Sequence, residues 1–404
     1  MNGADDTFAC KQFDVVSCAT SCGSAGTRKC TATCSLPSTC DAPAEVCNSL
    51  DEDCDGLADN GLNLFGGPLA KPQGSDIRSI RVAYNGAIYA AAYLDLAASN
   101  LAVRVQRYNS AGAAVGAPID IATTGGGLPS IAWNGSAFGI VWGTDGGGIY
   151  FRAVDATGTV QGPAAKVHNA NAQSWVGITP VGISDFLLVF GHYAPPAGNK
   201  FYSARVTSSG SVAGTVNDIT TSTGRITQPA LVPSTSDFRA FWSDDRSGKY
   251  AIYSRPLDSL GKALGVEVGI PNNQKDASFW SAAAMPGGFV VGYSSFDVGG
   301  GAFIVKTDAG GAQTGQPSIV SAGGQGLPEV AWDGTRIAVL TGDEFQLRNT
   351  QLALTSKFAF WSPTTSNLRY PSLRLSAGRV FGAASAATTS AQVRLFGALG
   401  CNAP

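Results

Sequence analysis

Charge is scarce in this chain of 404 residues. Lys, Arg, Asp and Glu together make up 14% of it, and the formal net charge is −2. No run of Lys or Arg offers the cationic footprint that a nucleic acid requires. No apolar run reaches the roughly 18 residues that a membrane helix needs, so no span of that kind is expected. The opening 30 residues hold no hydrophobic leader core; a leader is expected to have been removed or to precede this chain.

Histidine is nearly missing. His168 and His192 are the only two, and they fall at unlike places along the chain. No G-x-S-x-G, H-E-x-x-H or G-x-x-x-x-G-K-[ST] stretch occurs, which removes the common nucleophile-elbow, zinc-protease and phosphate-loop chemistries. Beyond residue 62 the carboxylates are scattered. Asp244, Asp245, Asp333, Asp343 and Glu344 are the candidates, and no acid–base pair can be read among them. The expectation is that the chain is not an enzyme.

Cysteine is absent from 55–400 and crowded before it. Cys10, Cys18, Cys22, Cys30, Cys34, Cys40, Cys47 and Cys54 lie in the opening segment, and Cys401 is the ninth. Such density without helical or strand periodicity reads as a disulfide framework made in an oxidising compartment. Zinc sites favour CxxC pairs, which are missing here, so zinc is the weaker alternative. The pairing is left open. Cys401 is expected to reach back to this segment or to bond another chain.

What is abundant is Gly (51 residues) and Pro (20), within a chain that is 44% hydrophobic. Long Ala/Leu/Glu/Lys stretches are missing. This is the composition of an all-β protein of short strands and many turns. From about residue 63 the sequence repeats itself. The stretch PSIAWNG is echoed by RVAYNG, VGITPVG, QPALVPS, SAAAMPGG, PEVAWDG and PSLRLSAG. The following strand ends at Tyr93, Trp142, Phe190, Trp242, Tyr293, Leu340 and Ala384, with spacings of 44 to 52 residues. A third strand carries one basic residue per unit: Arg107, Arg152, Arg205, Arg255, Lys306, Arg348 and Arg394. Two markers in phase through seven units, with four short strands per unit, predict a seven-bladed β-propeller.

The chain ends after a third strand, and 63–71 resembles a fourth one. The N-terminal strand is therefore expected to complete the last blade, which removes two open sheet edges. The repeated basic residue is expected to serve each blade by pairing with a neighbouring sheet. Trp133, Trp332, Trp142 and Trp242 sit in phase and are expected in the core. Trp175, Trp280 and Trp361 fall out of phase and are the candidates for ligand contact.

The stretch EVCNSLDEDCDGLADNG spans 45–61 and places Asp51, Asp53, Asp55 and Asp59 around Gly56. Alternate carboxylates on a tight loop suit Ca²⁺, which takes six to eight hard oxygens. The expected ligands are Asn48, Asp51, Asp53, Asp55, the carbonyl of Leu57 and Asp59. Leu62 stands where an EF-hand would place its bidentate Glu, so the loop is of another kind. A bond between Cys47 and Cys54 would curl it in advance. A zinc or copper site using those thiols is the alternative.

The same residues carry a resemblance. Cys47, Asn48, Asp51, Asp53, Cys54, Asp55, Gly56, Asp59 and Gly61 resemble a metal-binding motif of secreted bacterial proteins, CNGxDDDCDGxxDEG. Ser49, Glu52 and Asn60 depart from it. Before it, Cys18, Cys22, Gly23, Arg28 and Cys30 are similar to the core of thrombospondin type-1 repeats, without that family's tryptophan ladder. Trp242, Asp244, Arg246, Gly248, Ile252, Tyr253 and Arg255 look like blades of large secreted bacterial proteins. These resemblances imply an extracellular or cell-surface place.

The expected organisation is a disulfide-rich module over 1–62 and a seven-bladed propeller over 63–404. The expected role is extracellular binding or scaffolding, in adhesion or assembly, with a calcium-stabilised loop. The partner would be a protein or a glycan on the propeller's loop face. A strand donated to a neighbouring copy would give a homo-oligomer or filament. The alternatives are a carbohydrate-binding lectin and a polysaccharide-acting hydrolase or lyase.

Overall fold

The computed structural model describes residues 9–44, 51–55, 77–96, 101–109, 113–144, 147–169, 175–193, 199–222, 224–235, 237–270, 276–295, 300–322, 327–341, 344–359, 368–376, 379–386 and 393–399. All regular structure among them is β-strand. Val15–Ala19 and Ala25–Lys29 pair antiparallel as a small hairpin. Three disulfides bind it to its surroundings: Cys10–Cys30, Cys18–Cys40 and Cys22–Cys54. Cys34 has no disulfide partner among the described residues, against the expectation that all eight cysteines pair; Cys47 and Cys401 lie outside them.

Seven antiparallel sheets follow in chain order, six of four strands and a last one with three described strands. We number them blades 1 to 7. Their inner strands are Ile77–Tyr84, Ser130–Trp133, Val176–Val181, Ile226–Pro233, Ala277–Met285, Glu329–Trp332 and Leu368–Ser376. Consecutive inner strands pack side by side, and blade 7 meets blade 1, where the Val82 N–H donates to Ser372 Oγ at 3.2 Å. This is the all-β propeller that the repeat implies. The strand expected to complete blade 7, over 63–71, lies outside the described residues.

The turns follow from their chemistry. Asn85, Asn134 and Asp333 end three inner strands, and each side chain accepts the two following free amides. Gly86, Gly135 and Gly334 then take φ near 100°, which a residue with a Cβ adopts only with strain. The repeat markers fill the core between sheets. Tyr93, Trp142, Phe190, Trp242, Tyr293 and Leu340 are all at most 2% exposed. Trp142 and Trp242 are core residues, as expected.

Five of the repeated basic residues join blades, as expected; the Arg394 side chain lies outside the described ones. Arg152 and Arg348 reach back to the carbonyls of Ile121 and Ile319 in the preceding blade's outer strand, and Arg255 to that of Ile219, the residue after it. Arg107 and Lys306 reach forward to the carbonyls of Ala156 and Thr350. Arg205 differs, because it pairs with Asp185 inside its own blade at 2.7 Å.

In blades 2 to 5 the turn before the outer strand presses on the preceding blade, at Gly158, Gly210, Gly261 and Gly311. At Gly311 (φ 86°), an added Cβ would lie 2.5 Å from Arg239 Nη1 and 2.6 Å from Ser254 Oγ. Gly311→Ala is expected to lower stability by about 1–3 kcal/mol through strain and displacement. Gly315 has a similar φ of 82° but faces open space, so Gly315→Ala carries the backbone part alone and costs less. Denaturant midpoints of the two variants check this.

Candidate functional site: the axial channel and the aspartate loop

Each inner strand is paired on its outer side only. Its other edge turns backbone N–H and C=O groups toward the axis. The seven strands enclose a cavity of about 480 Å³ there, within the usual range of ligand sites, roughly 300–1,000 Å³. Such an edge suits a ligand rich in hydroxyl groups, which donate and accept alike.

Aromatic side chains mark both ends of the channel. Tyr84, Trp133 and Trp332 are the last residues of their inner strands and line the lower end. Trp133 and Trp332 are half-buried rather than core, which corrects the expectation. The physical reason is their place at the strand end. Trp133 leans on Phe138, with ring centroids 4.7 Å apart and the planes tilted by 52°.

Trp175, Gln228, Trp280 and Glu329 line the channel nearer the end where the inner strands begin, with Arg81 beside them. Trp175 and Trp280 were the out-of-phase candidates for contact; Trp361 lies outside the described residues. The Trp280 Nε1 is buried and finds no acceptor among the described residues. Gln228 is 8% exposed and holds φ at 54°, a region costly for a residue with a side chain. Its Oε1 accepts a bond from Ser278 Oγ of blade 5 at 3.3 Å. Glu329 is 6% exposed, the first residue of its strand.

The carboxylates singled out from the sequence have structural roles instead. Asp244 is fully buried and accepts from the Arg246 backbone at 2.8 Å and from Arg246 Nε at 2.9 Å. Arg246 also meets Glu267 at 2.6 Å and lies over the Tyr253 ring. Burial works against its charge, but the bonds to Asp244 and Glu267 more than offset this and hold its pKa above the ordinary value. Asp245 holds Arg225, and Glu344 holds Lys357. Asp333 caps its turn. Burial opposes its charge, and the amides of Arg336 and Thr335 outweigh that and keep the carboxyl below the usual range. Asp343 lies outside the described residues. His168 packs between Phe190 and Tyr202, with centroids 5.4 and 5.2 Å away.

Glu329, Gln228 and Arg81 are therefore the polar groups that sequence reasoning missed. Their signal is positional. They sit in the motifs PEVAWDG, QPALVPS and RVAYNG, ahead of the turn.

In the N-terminal module the structure brings Asp51, Asp53 and Asp55 together, with one carboxylate oxygen from each within 4.8 Å of the others. The Asp55 N–H donates to Asp51 Oδ1 and Asp53 Oδ1 at 3.2 and 3.1 Å. The clamp differs from the expected Cys47–Cys54 bond. Cys54 pairs with Cys22, and Ser24 Oγ donates to the Glu52 carbonyl at 2.6 Å. The loop is thus tied to the turn that joins the two hairpin strands. The donors are all oxygen, which fits a hard cation. Asn48, Leu57 and Asp59 lie outside the described residues.

No family model matches this sequence, and no curated protein does. Solved structures share the fold. The WD40 domain of Pan2 from Neurospora crassa matches with a TM-score of 0.53 and 9% identity, over 81% of this chain and 91% of that one. An α-L-arabinofuranosidase from Fusarium graminearum, in complex with an iminosugar inhibitor, matches with a TM-score of 0.50 and 10% identity, over 82% of this chain and 95% of that one. At such identity the likeness is one of fold. It overturns the expectation that the chain is not an enzyme. That expectation rested on missing motifs, and an α-L-arabinofuranosidase is among the chains with this fold.

Proposed function

We propose that this protein is a carbohydrate-active propeller that takes a glycan at its axial channel. One observation carries the reading: Trp175, Trp280, Gln228, Arg81 and Glu329 converge on a cavity walled by backbone donors and acceptors. Sugar rings offer apolar faces to indoles and hydroxyls to polar groups, and this wall offers both. Trp280 supplies stacking area and an indole N–H without an acceptor among the described residues. Glu329 is the group for proton transfer at a glycosidic or uronate centre, and Arg81 is the cation on the same channel wall. The shared fold with an α-L-arabinofuranosidase supports the same substrate class.

The test is titration calorimetry against a panel of neutral and uronate oligosaccharides. Trp280→Ala is expected to weaken binding about tenfold or more, because one stacked ring is lost. A panel without any binder would sink the reading.

The module we read as extracellular and cation-stabilised, supported by three disulfides and three converging carboxylates. The expected outcome is uptake of one Ca²⁺ per chain after chelator dialysis. Asp53→Asn would weaken it by about tenfold or more through loss of one charged ligand. Calorimetry with CaCl₂ checks this, and uptake unchanged in the variant would refute it.

A further inference from the structure

The register of the ladders sorts the channel wall into rows. One row is Tyr84, Trp133, Pro180, Pro233, Ala284 and Trp332, at the lower end. These residues pair with Tyr89, Phe138, Phe186, Phe238, Phe289 and Ile337 of their second strands, and all six line the cavity. The seventh place falls to Leu375, whose side chain lies outside the described ones. Three pairs earlier stand Arg81, Ser130, Gly177, Ala230, Ser281 and Glu329, which line the cavity too, and no ladder is broken between the two rows. Three steps of strand are about 10 Å.

The earlier row is polar on one side of the axis. It holds a cation and a carboxylate, Arg81 on blade 1 and Glu329 on blade 6, with blade 7 between them. Ser130 and Ser281 extend this arc to either side. Ser281 Oγ donates to the Pro328 carbonyl at 2.9 Å and accepts the Val330 N–H at 2.8 Å. Across the axis, blades 3 and 4 place Gly177 and Ala230 in the same row. They bring a methyl group at most.

The lower row has different chemistry. None of its six residues is charged. Tyr84 commits its hydroxyl to the Gly86 carbonyl at 2.5 Å. Pro180 and Pro233 have no N–H to offer. Proline is tolerated there because the axial edge of an inner strand has no ladder to lose. Ala284 adds a methyl group. Trp133 and Trp332 are half-buried, so part of each indole stays accessible to the cavity. Just beyond the row, Asn85, Asn134 and Asp333 turn Oδ1 to the amides of their own turns. A sugar is ringed by hydroxyls and finds few partners in such a row. A planar apolar group finds indole, phenol and prolyl faces.

We infer that the channel takes a glycan that carries an aromatic substituent, as an aryl glycoside or an aromatic ester does. The sugar lies at the row of Arg81 and Glu329, and the aromatic group at the row of Tyr84, Trp133 and Trp332. This rests on the glycan reading and narrows it to a substrate class. The two rows are continuous along one wall, so a ligand with a polar part and an apolar part satisfies both at once. A plain oligosaccharide satisfies only the first.

The experiment titrates the full chain, by calorimetry, with matched methyl and 4-nitrophenyl glycosides of arabinose, xylose and galacturonic acid, and with free 4-nitrophenol. For a sugar that binds, the 4-nitrophenyl glycoside is expected to bind about tenfold or more tightly than its methyl partner. Trp332→Leu and Trp133→Leu keep an apolar side chain in place but lose the flat face. Each should cut the advantage to about twofold and leave the methyl glycoside within about twofold. Ala284→Glu, which sets a carboxylate in the lower row, should erase the advantage without removing an aromatic ring. Equal affinity of the two glycosides in the unaltered protein overturns the aromatic seat while the glycan reading stands. So does an advantage that survives all three substitutions. Free 4-nitrophenol that binds as tightly as its glycoside overturns both readings, as does absence of binding by every glycoside.

Discussion

Glu329→Gln is expected to lower turnover of a glycan substrate by about 10²–10⁴-fold and to leave glycan affinity within a few-fold. The amide keeps the size and shape of the carboxylate, so the strand start and the channel wall are preserved. What it removes is the exchangeable proton and the charge. Glu329 is 6% exposed at the channel wall, where water does little to screen either. The split between rate and affinity is the informative readout. If affinity falls in parallel with rate, Glu329 holds the substrate and does not transfer its proton. Asp244→Asn is the contrast. Asp244 is bonded to Arg246 and buried, so its loss should appear in the melting temperature of blade 4 and leave chemistry aside.

The contrast between these two carboxylates shows what the sequence could reveal. Repeats, turns and core are written in residue type and spacing. An Asn or Asp before Gly caps a turn wherever it stands, and Asn85, Asn134 and Asp333 do so. A marker every 44 to 52 residues fixes which side chains meet between sheets. The basic residue of the third strand was legible for the same reason, because each blade must join the next. The channel is different. Its members come one or two from each blade, far apart in sequence, and no spacing connects Gln228 to Glu329. Trp175 and Trp280 stood out only because they broke the phase. Trp133 kept the phase and was read as core, since periodicity reports the strand and not whether its end is covered. Bulges are likewise hidden: the inner strands of blades 1, 4, 5 and 7 each carry one extra residue against the second strand, which looks like ordinary variation in repeat length until the pairing is known. Asp244 drew notice for its place beside Asp245, and Glu329 did not, because local density of charge is visible in a string of letters and depth along an axis is not. The cysteines show a similar limit. Their density identified a disulfide module, but the pairing of Cys54 with Cys22 rather than with Cys47 depends on where the hairpin turns.

Arg348→Met is expected to cost about 3 kcal/mol or more, among the largest losses available in the propeller outside its aromatic core. Arg348 is 5% exposed. Its Nη1 donates to the Leu352 carbonyl at 2.8 Å and to Ser318 Oγ at 2.9 Å, its Nη2 to the Ile319 carbonyl at 2.9 Å, and its Nε to Gln346 Oε1 at 2.8 Å. Burial pulls the guanidinium below its ordinary pKa, with Glu344 opposing. Methionine fills similar space but strands the Ile319 carbonyl and Gln346 Oε1, and leaves the Leu352 carbonyl and Ser318 Oγ only the 3.5 Å bond they share. Each buried acceptor left alone costs about 1–3 kcal/mol, less whatever repacking recovers. Two of those oxygens, on Ser318 and Ile319, belong to the outer strand of blade 5, so the loss falls on the seam between sheets. Lys306→Met strands one acceptor on the same seam, the Thr350 carbonyl at 2.7 Å, and should cost about 1 kcal/mol. Urea midpoints of the single and double variants decide between two pictures. If blades 5 and 6 are held as one unit by both cations, the double variant should lose more than the sum. If each cation serves only its own turn, the losses should add.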